Sequence, residues 1–332
     1  MRDLGPLPLT VVVPIRHGAA DADLAQHLGR LARWADQVVL VDGSEKTVRG
    51  AYARLLDPAI EHVVVDEDRR GLLNGKVAGV LTGVGRARHA RVVIADDDVR
   101  HTRSTLARLA RLIDDADVVR PQNHFVAAEW EALPWHARWD TGRTLLNRAL
   151  GADWPGTLGV DRDLLVAAGG YSGDVLFENR ELVRTMEAVG GRVLDAPDLF
   201  VARVPPTTHH FWGQRVRQAY DSLAQPGRLL LELSILPCMV ALPASIPVLL
   251  CAAVVLAECG RRRSGGRTVF PPSASLWAAA WLVERAVCVW LAVLTRATGS
   301  VRYAGGSIRR AGSSRSAIRR RVGGITAVAT AA

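Results

Sequence analysis

The chain has 332 residues, 49% of them hydrophobic, so it is long enough to bury one large core or two smaller ones. Its net charge of +9 is uneven: from Gly260 onward there are 13 arginines and one acidic residue, a net of +12, which leaves −3 for the remainder. This asymmetry argues against a nucleic-acid-binding domain and favours an anionic membrane surface, with RNA binding by the arginine-rich end as the alternative.

All four cysteines lie after residue 237 with no CxxC pair, which disfavours a disulfide scaffold or a zinc site. The first eight residues carry no apolar stretch of a secretory signal, so we expect the body to stay in the cytoplasm.

Short β-branched runs alternate with helical patterns over the first 120 residues. The predicted strands are Thr10–Ile15, Val38–Val41, His62–Val65, Arg91–Ala95 and Asp117–Arg120. The predicted helices are Asp21–Trp34, Val48–Leu56, Gly75–Arg86 and Thr102–Ile113. This alternation predicts an α/β fold with a mainly parallel, Rossmann-like sheet and helices on both faces. A less regular half follows, from Pro121 to about Pro226.

Two apolar runs come next, at Leu229–Ala257 and Ser275–Leu294. The first contains 24 residues without charge and is long enough to span a bilayer. The second has Glu284 and Arg285 at its centre, so it either spans with these two residues paired or lies in the interface. If both runs span, the arginines between them lie outside, against the positive-inside rule, whereas a broken, re-entrant first run keeps them cytoplasmic.

We therefore predict a catalytic body over residues 1–227, membrane-associated segments over 228–298 and a basic, flexible tail over 299–332. The expected location is the cell membrane, with the body on the cytoplasmic side.

Three consecutive aspartates, Asp96–Asp98, follow the apolar run Arg91–Ala95 directly. A buried strand that ends in concentrated negative charge needs a cation or water there. Carboxylates two residues apart suit a hard divalent cation that carries a diphosphate. The alternative is a solvated turn that caps the helix beginning near Thr102.

Two further polar residues lie where a predicted strand ends or a helix begins. Asp42 ends the second strand and either caps the next helix or hydrogen-bonds a base or ribose. Lys76, one of only two lysines, stands at a helix start, where helix polarity disfavours a cation. A phosphate nearby would explain it, and an incidental surface lysine is the alternative.

Taken in order, these segments resemble the family 2 glycosyltransferases, inverting enzymes with the GT-A nucleotide-sugar-binding fold. The resemblance covers residues 10 to about 225. Thr10–Pro14 resembles the opening strand, Val41–Ser44 the nucleotide-binding Asp motif, Asn74–Lys76 the Gly-Lys segment and Asp96–Asp98 the DxD motif. Trp154–Thr157 and Gly169–Tyr171 resemble acceptor-side stretches, Phe177–Leu182 the Glu-Asp motif and Gln214–Gln218 the QxxRW motif.

The resemblance implies a role for each matching residue. Asp98 would bind Mn²⁺ or Mg²⁺. The residues on the nucleotide-sugar side would be Pro14, Asp42, Lys76, Asp96, Asp97, Gln214 and Arg217. The donor would be a UDP- or GDP-sugar and the acceptor a lipid-linked or other glycan at the membrane, with no nucleic acid as partner.

The chain departs from the family pattern at two motifs. Asn179 stands where the family has the acidic residue that acts as base, and an amide cannot take a proton at neutral pH. The catalytic base is then Glu178 or Glu181, with Glu178 favoured. Otherwise the chain is a non-catalytic nucleotide-sugar-binding or scaffold protein. Gln218 is followed by Ala219 and Tyr220 in place of the final Trp of QxxRW.

Overall fold

The computed structural model describes residues 5–303 and 306–331, with side chains up to residue 324. The strands in this part of the chain are β1 (Leu7–Ile15), β2 (Ala35–Asp42), β3 (Ile60–Val63), β4 (Arg91–Ala95), β5 (Val99–Arg100), β6 (Val118–Phe125), β7 (Thr157–Asp161), β8 (Val193–Arg203), β9 (Val301–Tyr303) and β10 (Gly306–Ile308). The α-helices are α1 (Ala22–Trp34), α2 (Lys46–Leu55), α3 (Gly75–Arg86), α4 (Arg103–Ile113), α5 (Trp135–Leu150), α6 (Arg162–Ala167), α7 (Glu178–Ala188), α8 (Thr208–Tyr220), α9 (Pro226–Ala241), α10 (Ser245–Arg262), α11 (Trp277–Thr298) and α12 (Arg315–Ala331).

The chain divides into two compact units that interleave along the sequence. Unit 1 comprises residues 1–121, 155–201 and 313–332, and unit 2 comprises residues 122–154 and 202–312. This division does not follow the predicted domain boundary at residue 227.

An eight-stranded sheet has the order β3-β2-β1-β4-β7-β6-β8-β5. The first four strands pair in parallel, as the alternation of strands and helices predicts. β7 then pairs antiparallel with both β4 and β6, so the sheet is mixed rather than mainly parallel. The regular alternation ends after α4, and the connection through α5 returns β7 in the opposite direction between β4 and β6.

Helices cover both faces of the sheet in unit 1, as predicted. Leu9, Val11 and Val13 of β1 lie in one core with residues of α1 and α4. The alternate residues of β1 face α3, where glycines allow close approach: a Cβ on Gly79 would lie 2.7 Å from Pro14 Cβ. Pro14 therefore serves here as a contact for α3 as well as a partner of β2.

Helix starts follow local capping chemistry. The Asp21 side chain accepts hydrogen bonds from two backbone N–H groups of α1, and the Asn74 side chain does the same for α3. Thr102 and Thr105 form a capping box at α4. Each of these helices begins within one residue of the start predicted from sequence.

The first apolar run is not one continuous helix. It forms α9 and α10, which are separated at Leu242, and the next residue, Pro243, has no N–H to continue a helix. Within the described residues, the stretch Pro272–Thr298 is the one helix long and apolar enough to cross a membrane, and 39% of its apolar window is buried inside the protein.

The described residues of the basic end include two short strands and a helix, and the predicted flexibility of residues 299–332 stays a prediction. Val301–Tyr303 and Gly306–Ile308 pair as antiparallel strands, and α12 lies against α7 in unit 1. Ile318 and Val322 are buried there, because α12 has an apolar side despite its arginines.

Candidate functional site

The carboxyl ends of β1, β2 and β4 meet at one edge of the sheet because these strands pair in parallel. β4 ends at Ala95, and Asp96–Asp98 follow it directly. His17 follows β1, and its Nε2 lies 2.6 Å from Asp97 Oδ2. Since Thr102 caps α4, the aspartates are not that helix's cap.

His17 links Asp97 to neighbouring segments. Its backbone N–H donates to Ser44 Oγ at 2.8 Å, and its Nδ1 lies 2.6 Å from the Tyr52 hydroxyl. The hydrogen bond with Asp97 raises the pKa of His17 above its ordinary 6.5, against the lowering effect of burial. Sequence reasoning missed His17, although its position two residues after β1 places it at the same edge.

Asp42 is fully buried at the end of β2. Its Oδ1 accepts a hydrogen bond from the Ser44 backbone N–H at 2.8 Å, and its Oδ2 accepts one from His62 Nε2 at 3.0 Å. Burial raises the pKa of Asp42, but these hydrogen bonds outweigh it and leave the pKa below its ordinary value. Asp42 is therefore held as a carboxylate, and it does not cap α2.

Lys76 bridges two carboxylates from distant parts of the chain. Its Nζ donates to Asp96 Oδ1 at 2.6 Å and to Glu178 Oε1 at 2.8 Å. Burial alone would lower the pKa of Lys76, but the two carboxylates raise it well above the ordinary value. These two carboxylates explain why a lysine stands at the start of a helix. They use two of the three N–H donors of the Lys76 ammonium.

Asn74 fixes the start of α3 relative to the segment before α7. Its Oδ1 accepts from the Lys76 backbone N–H at 3.1 Å, and its Nδ2 donates to the Val175 carbonyl at 2.9 Å. Its own backbone N–H donates to the Gly173 carbonyl at 2.9 Å. This fully buried side chain therefore positions both Lys76 and the helix that carries Glu178.

The predicted acceptor-side segment lies against Asp96. The Asp96 backbone N–H donates to the Gly156 carbonyl at 2.8 Å, and a Cβ on Gly156 would lie only 2.7 Å from Asp96 Oδ2. Asn179 Nδ2 donates to the Pro155 carbonyl at 2.8 Å. Asn179 thus holds the Pro155–Gly156 backbone, to which the Asp96 N–H donates.

Glu178 and Glu181 lie in the first turn of α7, but they have different surroundings. The Glu178 carboxylate contacts Lys76, and its side chain is 10% exposed. Glu181 is 1% exposed, and its Oε2 accepts from the Ser313 backbone N–H at 2.9 Å. Only Glu178 therefore joins the cluster around Asp96.

Asp98 is half-buried at the same strand end. Carboxylate oxygens are the hard donors that Mn²⁺ and Mg²⁺ accept, so the residue chemistry of Asp96–Asp98 fits such an ion. No group of three or more His, Cys, Asp and Glu side chains capable of holding a metal occurs among residues 5–303 and 306–331. Further ligands would then have to come from a diphosphate and water.

Gln214 and Arg217 lie on α8 in unit 2. Arg217 donates to Gln214 Oε1 at 2.8 Å, and its guanidinium lies over the Tyr303 ring at 4.5 Å. Both line a cavity of about 350 Å³ together with Thr295, Ser300, Val301 and Arg302. The lining of this cavity includes none of the aspartates of the strand-end edge.

No protein-family model matches the chain, and no curated protein matches it. Among solved structures, it is similar to a mannosyltransferase from Pyrobaculum calidifontis in complex with GDP-mannose and Mn²⁺ (21% identity, 87% of this chain and 88% of that chain, TM-score 0.49). It is also similar to mannosyl-3-phosphoglycerate synthase from Rubrobacter xylanophilus (18%, 67% and 76%, 0.41). A third is glucosyl-3-phosphoglycerate synthase from Mycobacterium tuberculosis with Mn²⁺ and UDP (16%, 62% and 74%, 0.41).

Proposed function

We propose that this chain is a metal-assisted, inverting glycosyltransferase of the family 2 type. It would move a sugar from a UDP- or GDP-sugar to a lipid-linked or glycan acceptor at the membrane. The observation that carries the proposal is the Lys76 bridge between Asp96, beside the predicted metal-binding Asp98, and Glu178 on α7. One cation thereby links the predicted donor side to a carboxylate suited to the acceptor side.

In this reaction the acceptor oxygen attacks the anomeric carbon, and the bond to the nucleotide diphosphate breaks with its electron pair on the leaving oxygen. Glu178 takes the acceptor proton. Mn²⁺ or Mg²⁺ bound at Asp98 would neutralise charge on the diphosphate. Lys76 adds a second positive charge with its third N–H donor.

The bridge also couples the donor to the base. A diphosphate that accepts the third N–H of Lys76 shares the charge of the ammonium with Glu178. Weakening that ion pair makes the carboxylate a better proton acceptor, because an adjacent cation favours its ionised form. We assign the base to Glu178 rather than Glu181, whose Oε2 is used by the Ser313 backbone in a buried place.

A test is sugar transfer and sugar-nucleotide hydrolysis by full-length protein in membranes, with Mn²⁺ and with a chelator. Glu178→Gln should abolish transfer and spare nucleotide binding, because the amide keeps the shape but cannot take a proton. Glu181→Gln is the matched control on the same helix and should reduce transfer less. Metal-independent transfer, or no turnover with any common nucleotide sugar, would contradict the proposal.

A second candidate function is a non-catalytic nucleotide-sugar-binding protein, motivated by Asn179 in the position of the family's acidic residue. It predicts binding of UDP or GDP without turnover. Equal activity of wild type and Glu178→Gln, both at background, together with measurable nucleotide affinity, would favour this reading.

A further inference from the structure

The turn between α9 and α10 exposes a run of residues without charge. We call Pro237–Val248 the hairpin tip. Its large apolar side chains are open to the surroundings: Val240 is 71% exposed, Leu242 64% and Val248 67%. A contiguous exposed surface of this kind marks a site of interaction rather than a face meant for water.

The base of the hairpin, in contrast, is fastened into unit 2. The buried residue of α9 is Glu232, and those of α10 are Ala253, Ala257, Gly260 and Arg261, all away from the tip. Gly260 lies so close to α5 that a Cβ there would be 1.9 Å from the Leu145 carbonyl oxygen. The hairpin is therefore held at one end and projects at the other.

The neighbouring helix α11 uses its central charges inside unit 2. Glu284 lies 3.4 Å from Arg215, which also contacts Asp140 at 3.0 Å. Arg285 is 1% exposed and lies 3.9 Å from Glu232. The charged side of α11 is thus paired inside the protein, while the opposite side exposes apolar residues such as Val283, Val287 and Leu294 at 49%, 47% and 57%.

Three backbone N–H groups at the tip have partners within the turn itself. The N–H groups of Leu242, Ser245 and Ile246 donate to carbonyls within the turn at 2.8–3.1 Å. Prolines at positions 237, 243 and 247 carry no N–H at all. Irregular backbone is tolerated at membrane depth only where its polar groups find partners within the protein or water, and here those three donors have them.

Length and charge identify the partner. From Glu232 to Leu242 the chain is helical for ten residues, which at 1.5 Å per residue is about 15 Å, close to one leaflet's share of a hydrocarbon core of about 30 Å. Along α10 the exposed Arg262, Arg263 and Arg267 lie about 26 Å or more from Ser245. They therefore stay outside the hydrocarbon when the tip is one leaflet deep, on the side that attracts anionic headgroups. We propose that the hairpin tip inserts into one leaflet of an anionic phospholipid bilayer.

This inference deepens the membrane-proximal acceptor of the proposed function. It can be tested with no sugar donor present, so its failure is distinguishable from failure of the transfer reaction. The assay is flotation of the full-length protein with vesicles of phosphatidylcholine and phosphatidylglycerol at 7:3. Leu242→Asp should weaken binding by about tenfold or more, because a carboxylate is costly in hydrocarbon.

Leu55→Asp is the matched control, since Leu55 is 49% exposed at the end of α2, outside the tip and away from the arginines of α10; it should bind as wild type does. Both substitutions are at exposed positions, so both variants should keep the wild-type thermal midpoint. Binding should also fall with pure phosphatidylcholine vesicles, because the arginines then lose their anionic partners. Unchanged vesicle binding by Leu242→Asp would overturn the proposal.

The native cysteines allow a measurement of depth. Cys238 lies in the tip, and Cys259 lies near the base of α10; both are exposed. An environment-sensitive fluorophore on Cys238, with the other three cysteines replaced, should be quenched by spin labels deep in the acyl chains. The same fluorophore on Cys259 alone should be quenched only by headgroup labels.

Two outcomes would assign the tip elsewhere. If Leu242→Asp converts a dimer into a monomer in vesicle-free solution, the tip binds a second copy of the chain. If a Cys238 label on bound protein stays unquenched by any lipid probe, the tip remains in water and vesicle binding comes from another surface. Either result would overturn the one-leaflet insertion.

Discussion

Lys76 is the residue on which the proposed site depends most. Without its ammonium, the Asp96 and Glu178 carboxylates would lose the cation that they share. Lys76→Met should therefore abolish transfer and destabilise the protein by about 2 kcal/mol, the scale of a lost charged hydrogen bond. Transfer assays and thermal unfolding measure the two effects.

Lys76→Arg is the control for charge alone. The longer, planar guanidinium keeps the positive charge but not the compact geometry that serves both carboxylates. We expect stability near that of wild type and clearly reduced turnover. Full activity of Lys76→Met would remove this lysine from the mechanism.

Asn179 acts through the backbone that it holds. Its Nδ2 donates to the Pro155 carbonyl, so Asn179→Asp replaces a donor by a carboxylate facing a carbonyl oxygen. We expect a loss of about 1–2 kcal/mol in the free energy of unfolding and no gain of activity. Asn179→Ala removes the donor without adding charge and should cost less. A gain of turnover in Asn179→Asp would instead place the base at this position.

His17 predicts a pH dependence with a defined sign. Its pKa is raised above 6.5 by the hydrogen bond with Asp97, so the stabilisation from this pair is fully present below pH 6.5. It is lost as the pH rises through the raised pKa of the folded protein. Histidine NMR titration should give a midpoint above 6.5 for His17, and Asp97→Asn should lower that midpoint.

Two buried histidines provide the internal control for that titration. Burial lowers the pKa of His27 and of His101 to about 3. Neither ring should titrate between pH 5 and 8. A His17 midpoint at or below 6.5 in wild type would contradict the short contact with Asp97.

At the level of whole elements, the local sequence predicts the bounds of a helix or strand correctly where its capping residues and composition agree with the tertiary structure. Gly75–Arg86 and Arg91–Ala95 form the predicted helix and strand with the same bounds, because capping by Asn74 and β-branched composition specify them. The partners of Lys76 could not be read from sequence, since Glu178 is 102 residues away. The antiparallel pairing of β7 could not be predicted either, because the composition of a strand does not show in which direction it runs in the sheet.

The basic end of the chain carries apolar contacts as well as positive charge. Arginine-rich composition predicts a flexible tail, but Ile318 and Val322 supply the apolar contacts that fasten α12 to unit 1. Arg321 also donates to Thr185 Oγ1 of α7 at 2.9 Å. The helix that carries Glu178 is thus supported by the end of the chain.

This support can be tested at α12. Ile318 is 2% exposed, so Ile318→Ala should destabilise unit 1 by about 2–4 kcal/mol through lost burial and the cavity left behind. Because α7 holds Glu178, we also expect lower transfer activity at temperatures near the unfolding midpoint. Exposed Arg319→Ala in the same helix should change the midpoint little. Wild-type stability of Ile318→Ala would mean that α12 does not stay on α7 in solution.

For the molecule as a whole, ligand binding should report on the metal site without any catalytic assay. A nucleotide diphosphate that binds only the folded protein stabilises it by about 2.7 kcal/mol at about 100 times its Kd. Under the proposed function, most of this stabilisation by UDP or GDP requires Mn²⁺, because Asp98 would hold the diphosphate through the ion.

Asp98→Asn should leave the ligand-free unfolding midpoint within a degree or two of wild type and remove the Mn²⁺-dependent increase. The increase should survive in Glu178→Gln, because that variant loses the base and its ion pair with Lys76 but keeps the Asp98 carboxylate. If Asp98→Asn kept the full Mn²⁺-dependent increase, the metal would bind elsewhere in the chain.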